Sequence, residues 1–307
     1  MTNQLPKISI IVNTLNRAEY LESNLESLKK LRYPNREIIV VNGPSKDRTA
    51  ELLKRHTDIR KYNFSKANLS ASRNFGILKS EGEYVAFIDD DATANEFWLD
   101  ELWDFMRSED LSAAGGIVYD VPSQSILWER VMSDEYGNIS TYNSKVISNT
   151  DLRKSTKFLY LAGCNMMFKK RDLLSVGGFN RFLKYGYDDV EVASRLHKHG
   201  FKLDYTNSAE VRHMRAPSSI RDINHEILDE STYLQSQVIF ILQTGNPKKF
   251  AQNKLFISKI YKEKKLSVIR RYEEGKLNKH EFNSLQKKLL KALINGYLIG
   301  AKKRPNL

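Results

Sequence analysis

The stretch Tyr84-Val-Ala-Phe-Ile-Asp-Asp-Asp91 joins a short apolar run to three adjacent carboxylates. The run Tyr84–Ile88 is typical of a buried strand. Side chains at i and i+2 of an extended segment point the same way, so Asp89 and Asp91 are expected to share a face. Two carboxylates on one face suit a divalent cation such as Mg²⁺ or Mn²⁺. The alternative is a solvated acidic loop that caps a helix beginning near Asn95.

The segments before this stretch repeat one alternation of strand and helix. Further strands are predicted at Ile8–Val12, Glu37–Val41 and Ile59–Phe64. Helices are predicted around Leu21, Leu25 and Leu28, over Thr49–His56 and over Ser70–Lys79. Alternation of this kind predicts a parallel sheet with helices on both faces. Ligands bind such sheets beyond the carboxyl ends of the strands, where polar residues follow each predicted strand: Thr14, Asn16, Arg17, Asn42, Gly43, Asp89, Asp90 and Asp91.

The bulk composition is that of a folded globular protein. The chain has 307 residues, of which 41% are hydrophobic and 28% charged. It contains no apolar run near the roughly 20 residues that a membrane-spanning helix needs, and no signal peptide is recognised at its start. Cys164 is the only cysteine, which excludes an internal disulfide. These features predict a cytoplasmic protein.

The positive charge is concentrated at one end of the chain. The net charge is +12, and the segment Pro247–Leu307 alone has 17 Lys and Arg against four Asp and Glu. The preceding part is therefore close to neutral. This asymmetry predicts a near-neutral body that carries the chemistry and a basic tail that meets an anionic partner.

Several segments together resemble family 2 glycosyltransferases of the GT-A fold, from about Lys7 to about Ser219. The segments that carry the resemblance are Ile8–Arg17, Glu37–Thr49, Leu69–Ile77 and Phe87–Asp91. The last of them resembles the family's DxD motif. Asn42 departs from the pattern, because many members have Asp there, and this widens the choice of nucleotide. The fold that the resemblance implies is α/β, a Rossmann-like, mainly parallel sheet flanked by helices.

The resemblance also implies site residues. Asp91 would bind the metal with Asp89, which would also contact the donor ribose or pyrophosphate. The residues that would bind the nucleotide-sugar are Thr14, Asn16, Arg17, Asn42, Gly43, Arg73, Asn74, Asp89 and Asp90. For Arg17 and Arg73 the alternative is an ordinary surface arginine.

An acidic pair in the second half resembles the family's "ED" motif. It lies in Gly186–Leu196, with Asp188 in the usual Glu position, and Leu161–Phe168 resembles the segment that passes the donor sugar. An inverting transfer needs a general base for the acceptor hydroxyl, and this role falls to Asp189, with Asp188 as its neighbour or as an acceptor-binding residue. The alternative is that Asp188 caps a helix and Asp189 is a favourable first-turn charge.

A histidine follows another strand-like pattern, in Val211-Arg-His-Met214. Related enzymes often have a histidine here that reaches the metal or the diphosphate. The resemblance therefore implies that His213 is a metal ligand beside Asp91, against the alternative of a structural histidine.

The last part of the chain is predicted to be helical. The pattern begins near Ile223, breaks at Gly245-Asn-Pro247 and ends in a helix over Lys279–Ile299. We expect a catalytic domain over residues 1–220 and a basic helical extension over residues 221–307. The extension would pack on the body, contact an anionic membrane surface or mediate self-association. No nucleic-acid motif accompanies its charge.

The resemblance, together with the acidic residues that match it, implies an inverting glycosyltransferase that requires Mn²⁺ or Mg²⁺. Its donor would be a nucleotide-sugar, most often a UDP-sugar in this family. Its acceptor would be a hydroxyl of a glycan or of a lipid-linked acceptor in cell-surface polysaccharide synthesis, with the enzyme at the inner face of the cell membrane. The alternative is an inactive binding protein of the same fold, but the acidic residues and His213 are all present. A nucleotidyltransferase would have glycines after the first strand, where Asn13–Arg17 has none.

Overall fold

The structure, a computed structural model, describes residues 5–141, 157–217 and 230–302. Its strands are β1 Ile8–Thr14, β2 Arg36–Asn42, β3 Arg60–Asn63, β4 Tyr84–Asp89, β5 Ala92–Ala94, β6 Ala113–Asp120, β7 Ser125–Trp128, β8 Val131–Ser133, β9 Ile139–Thr141, β10 Phe158–Leu159, β11 Met166–Lys169 and β12 Leu203–His213. Its α-helices are α1 Ala18–Lys29, α2 Thr49–Arg55, α3 Leu69–Lys79, α4 Trp98–Ser108, α5 Lys170–Ser175, α6 Asp188–Lys198, α7 Ser231–Thr244, α8 Phe250–Glu273 and α9 Lys279–Gly300.

The central sheet has the strand order β3-β2-β1-β4-β11-β6-β12-β5, with β7 paired to β6. The first four strands are parallel to one another. Successive side chains of β1 point to opposite faces, so Ile8, Ile10 and Val12 pack in one core cluster and Ile11 packs in another. The first cluster includes residues of α1, α2 and α4, and the second includes residues of α3, α5 and α6. Helices therefore cover both faces, as the sequence predicts.

The second half of the sheet departs from simple alternation. Strand β11 lies antiparallel between β4 and β6, and β5 is antiparallel to the end of β12. Because residues 92–94 form β5, the helix expected near Asn95 begins at Trp98. The run Leu161–Phe168 becomes a strand only from Met166, because the residues before it form a turn in which the Asn165 main-chain amide donates to the Ala162 carbonyl at 2.8 Å.

The C-terminal helices pack on the body rather than standing apart from it. Side chains of α7, α8 and α9 share one core cluster with Val131 of β8, Phe158 of β10 and Val190 of α6. The contact between α9 and α7 is close, since a Cβ at Gly296 would lie 2.7 Å from Val238. The predicted start of the helical region near Ile223 and the boundary between residues 220 and 221 lie outside the described residues.

The helix predicted over Lys279–Ile299 is confirmed as α9, and a capping box fixes its start. Asn278 accepts a hydrogen bond from the Glu281 amide at 3.0 Å, and its own amide donates to the Glu281 carboxylate at 2.8 Å. Within the described ranges, no helix has the length and apolar character needed to cross a membrane.

Candidate functional site

A cleft of about 1030 Å³ lies beyond the carboxyl ends of β1, β2 and β4. Most of the predicted site residues line it: Thr14, Asn16, Arg17, Gly43, Arg73, Asp89, Asp90, Asp91, Asp188, Asp189 and His213. Asn42 and Asn74 are not among the lining residues. The structure thus brings together residues that are separated by up to about 200 positions in the chain.

The loops after β1 and β2 are tied to each other at one end of the cleft. Asn16, in the left-handed region with φ 57°, accepts a hydrogen bond from the Lys46 amide at 2.6 Å. The main-chain amide of Asn16 donates to the Ser45 hydroxyl at 2.9 Å, and that hydroxyl donates to the side-chain oxygen of Asn42 at 2.7 Å. The Gly43 amide donates to the Thr14 carbonyl at 2.8 Å. Asn42 therefore shapes these loops from behind the cleft surface.

Arg17 is paired with two of the three consecutive aspartates. Its Nη1 lies 3.0 Å from Asp90 Oδ1 and 3.1 Å from Asp91 Oδ2. Its side chain is only 17% exposed, so the surface-arginine alternative is wrong. Burial raises the pKa of Asp90 to about 7, although the Arg17 charge opposes that shift.

Asp89, Asp91 and His213 form a cluster that could hold a metal ion. One ligand atom from each lies within 4.8 Å of the others. His213 Nε2 is 3.1 Å from Asp91 Oδ1 and 3.8 Å from Asp89 Oδ2. Burial opposes ionisation of Asp91, but the hydrogen bond from His213 and the charge of Arg17 hold its pKa below the usual range. A buried, ionised carboxylate beside a second carboxylate and an imidazole fits a divalent cation.

Strand pairing builds this cluster from distant parts of the chain. His213 is the last residue of β12 and pairs with Ala92, the first residue of β5. The Met214 amide donates to the Asp91 carbonyl at 2.8 Å, and the Ala216 amide donates to the Asp91 carboxylate at 2.8 Å. The short strand directly after the three aspartates therefore places His213 beside Asp91.

Arg73 joins this cluster to the acidic pair. It is buried, and its guanidinium lies 2.5 Å from Asp188 Oδ2, 2.9 Å from the Gly163 carbonyl and 3.4 Å from Asp89 Oδ1. Its carbon Cζ also lies 5.4 Å from the centroid of the Phe179 ring. Burial lowers the pKa of Arg73, but the surrounding carboxylates, Asp188 first, raise it overall. Arg73 is therefore not a surface arginine.

The neighbouring Asn74 faces away from the cleft. Its side-chain nitrogen donates to the Phe179 carbonyl at 2.7 Å, and its side-chain oxygen accepts from the Phe179 main-chain amide at 2.8 Å. These two bonds fasten α3 to the turn before α6, so Asn74 supports Arg73 from behind.

Asp188 and Asp189 have different surroundings although they are adjacent. Asp188 is buried against Arg73, whereas Asp189 is half-buried. Asp189 accepts hydrogen bonds from the Gly163 amide at 3.2 Å and the Val190 amide at 2.8 Å. Burial, followed by the charge of Asp188, raises the pKa of Asp189 to about 7. The alternative in which Asp188 caps the helix is wrong, because Tyr187 occupies the N-cap position with φ 62°.

The cleft also contains residues that the sequence reasoning did not select. Aromatic side chains contribute part of its wall: Trp128, Tyr160, Tyr185, Tyr187 and Tyr233. These aromatic residues are far apart in the sequence, so no local pattern predicts that they share a site. Gly163 could have been selected from the sequence, because it interrupts an apolar run. The position requires glycine, since a Cβ there would lie 2.9 Å from Arg73 Nη2.

Comparisons with known proteins agree with this geometry. Residues 9–177, more than half of the chain, match the model for glycosyl transferase family 2. Residues 146–222 match the model for the N-terminal domain of galactosyltransferase. The poly-beta-1,6-N-acetyl-D-glucosamine synthase of Staphylococcus epidermidis is 27% identical over 212 residues, which cover 66% of this chain and 48% of the synthase. The chain spans between a quarter and about half the length of the first curated relatives it matches.

Two solved structures show the same fold. S. aureus TarS 1-349 in complex with UDP-GlcNAc has a TM-score of 0.60 at 15% identity, with 94% of this chain and 81% of that chain covered. The mannosyltransferase PcManGT from Pyrobaculum calidifontis in complex with GDP-Man and Mn²⁺ has a TM-score of 0.54 at 14% identity, with 97% and 88% covered. The predicted GT-A fold with a C-terminal helical extension is confirmed.

Proposed function

The chain belongs to glycosyl transferase family 2, and from that premise we propose that it transfers a sugar, with inversion, from a UDP-sugar to a hydroxyl of a glycan or lipid-linked acceptor. We propose that the process is synthesis of a cell-surface polysaccharide, and the name of the S. epidermidis relative supports the synthesis of a polysaccharide. The main observation that supports this proposal is that one cleft contains both the Asp89–Asp91–His213 cluster and the Asp188–Asp189 pair.

The nucleotide-sugar is assigned to the part of the cleft formed by Thr14, Asn16, Arg17 and Gly43. Thr14 is the last residue of β1, the other three follow strand ends, and all four line the cleft. Ligands bind at this edge of open α/β sheets. The two structural neighbours were solved with UDP-GlcNAc and with GDP-Man, which supports a nucleotide-sugar and leaves the base to be tested. Asn42 is turned toward Ser45 and Asn63, so we assign it to shaping the pocket.

Asp89, Asp91 and His213 are assigned as the metal ligands. Two carboxylates with an imidazole suit Mn²⁺ better than Mg²⁺, which prefers oxygen ligands. When bound, the metal supplies positive charge that offsets the negative charge developing on the leaving diphosphate. Arg73 adds a fixed positive charge 3.4 Å from Asp89, and Arg17 holds the Asp91 carboxylate from its other side.

Asp189 is assigned as the general base. Asp188 is held by Arg73 at 2.5 Å and is buried, so it is poorly placed to accept a proton from an acceptor. Asp189 is half-buried, lines the cleft and has a pKa near 7, close to the value that favours proton transfer at neutral pH. The scheme requires no protein nucleophile.

Calorimetric titration with UDP, GDP and dTDP, each with Mn²⁺ and with EDTA, tests the proposal. We expect one nucleotide to bind with Mn²⁺, and its affinity to fall by at least about tenfold in EDTA and in Asp91→Ala. Asp189→Asn is the matched control, because it removes a cleft carboxylate outside the metal cluster and should bind the nucleotide as the parent protein does. Absence of binding by all three nucleotides under both conditions would contradict the proposed function.

The extension, which we assign to residues 221–307, is proposed to contact an anionic membrane surface at the inner face of the cell membrane. Leu290, Ile294 and Leu298 of α9 are 49%, 50% and 62% exposed. Their spacing of four residues places them along one side of the helix. Lys287 and Lys291, three residues before Leu290 and Ile294, are exposed along one side of that row. An exposed apolar row flanked by lysines is typical of helices that lie on anionic lipid.

A further inference from the structure

The wall of the cleft near Asp189 is aromatic. Tyr160 follows β10, and Tyr187 directly precedes α6. Both side chains line the same cleft as Asp189, and burial first, then the charge of that carboxylate, raise the pKa of both phenols. Tyr185 and Tyr233 continue the lining, and both are half-buried. The cleft surface beside the proposed base is therefore an array of aromatic rings.

Helix α7 of the C-terminal extension supplies and supports part of this wall. Thr232 and Tyr233 of α7 line the cleft. The rings of Tyr185 and Tyr233 meet edge to face, with centroids 5.8 Å apart and planes at 80°. Ser236 of α7 donates a hydrogen bond to the Tyr185 carbonyl at 2.9 Å. The extension is therefore built into the cleft as well as packed on the body.

The same helix supports the turn that leads into the acidic pair. Gly186 has φ +73°, and a Cβ at this position would lie 3.0 Å from the Tyr233 ring. The Tyr187 ring packs on Phe240 of α7, with centroids 5.8 Å apart. Because Asp188 and Asp189 follow directly, α7 fixes the place from which the proposed base acts.

The chemistry of these side chains indicates their ligand. A pyranose ring has an apolar face of C–H groups and a rim of hydroxyls, and tyrosine offers an apolar ring face with a polar tip. A hydroxyl that gives its proton to Asp189 must come within hydrogen-bond distance of it. The sugar ring that carries this hydroxyl must then lie against the segment formed by residues 185–189. The side chains that α7 adds, Thr232 and Tyr233, are uncharged, which favours a sugar ring over a phosphate group.

We propose that Tyr185 and Tyr233 form an acceptor subsite that binds a pyranose ring of a glycan, so that the C-terminal extension completes the active site. This inference rests on the proposed function. It assigns the extension a part in acceptor binding, which is separate from any contact with a membrane.

Saturation-transfer NMR with four probes tests the subsite: methyl β-D-glucoside, methyl β-D-galactoside, methyl N-acetyl-β-D-glucosaminide and methyl α-D-mannoside. Each is added with the nucleotide that the calorimetric titration selects and with Mg²⁺, which replaces Mn²⁺ because Mn²⁺ is paramagnetic and broadens NMR signals. We expect at least one probe to receive saturation at its C–H protons. Tyr233→Ala and Tyr185→Ala should each weaken its binding by about tenfold, and Tyr233→Phe, which keeps the ring, should stay within about twofold.

The matched control is Tyr272→Ala, an exposed tyrosine of α8 that is not among the cleft-lining residues. It should bind the probe as the parent protein does. Nucleotide affinity and melting temperature are measured for every variant. The subsite proposal is overturned if no probe binds the parent protein, or if both alanine variants in the cleft bind the probe as the parent does. It is also overturned if these variants lose as much affinity for the nucleotide as for the probe. Failure of the parent protein to bind any nucleotide would instead overturn the proposed function.

Discussion

The raised pKa of Asp189 predicts an acidic limb in the pH dependence of transfer. A general base must be ionised, and its pKa of about 7 means that about one tenth of the carboxylate is ionised at pH 6 and about nine tenths at pH 8. Because this pKa belongs to the protein without acceptor, kcat/KM for the acceptor should rise about tenfold between these pH values when the acceptor is kept well below its KM. The sign follows from the direction of the shift: an aspartate with an ordinary pKa would be ionised throughout this range, and the profile would be flat.

The groups around Asp189 decide where the limb falls. Burial is the largest cause of its raised pKa, the like charge of Asp188 adds to it, and the charge of Arg73 opposes it. Asp188→Asn removes the like charge and should move the limb to lower pH. The phenols of Tyr160 and Tyr187 stay neutral in this range, because burial raises their pKa further above the usual value for tyrosine.

The assay measures release of the nucleotide diphosphate in the presence of acceptor from pH 5.5 to pH 8.5. Asp189→Asn should lower kcat by roughly 10²-fold or more, and its residual activity should lack the limb. Asp90 also has a pKa near 7, so the behaviour of Asp189→Asn identifies which carboxylate is responsible. Wild-type turnover in Asp189→Asn, or the same limb in its residual activity, would refute the assignment of the base.

Two further predictions concern the buried ion pair and the exposed row of α9. Arg73→Met leaves the buried Asp188 carboxylate without its partner and should cost about 3–5 kcal/mol of folding stability. Adding Asp188→Asn to Arg73→Met should recover at least about 1 kcal/mol of the free energy of unfolding, measured by thermal unfolding. If the stability losses of the two single variants simply add in the double variant, the pairing is contradicted. Ile294→Asp with Leu298→Asp should abolish co-sedimentation with phosphatidylglycerol vesicles, whereas Leu78→Asp on the exposed side of α3 should not. Equal sedimentation of all three proteins would count against the membrane contact.

The first half of the fold was predictable because it is built from local patterns. Strands β1, β2 and β4 are short apolar runs, whereas β3 is a polar strand at the edge of the sheet, and the helix after β1 has its own apolar spacing. Parallel neighbours follow from that alternation without knowledge of distant contacts. The register of β1 and β4 pairs Asn13 with Asp89, so the aspartates lie at the expected edge of the sheet.

The rest depends on contacts between remote segments, which a pattern does not contain. Arg73 meets Asp188 across 115 positions, and His213 meets Asp91 across 122. The prediction that His213 neighbours Asp91 came from a family resemblance, whereas the physical cause is the pairing of β5 with β12. Asn74 shows the opposite case: it adjoins Arg73 in sequence, yet its amide is bonded to the Phe179 main chain.

Asp89 connects the cluster that could hold a metal ion to the acidic pair Asp188–Asp189. One of its carboxylate oxygens lies 3.4 Å from Arg73 Nη2 and the other lies 3.8 Å from His213 Nε2. Arg73 in turn contacts Asp188, which precedes the proposed base. Asp89 therefore belongs both to the cluster that would hold the metal and to the ion pairs that fix the acidic helix. The proposed metal ligand Asp89 and the residue beside the proposed base therefore contact the same buried arginine, so in the proposed reaction these contacts would fix the leaving-group side and the acceptor side relative to each other.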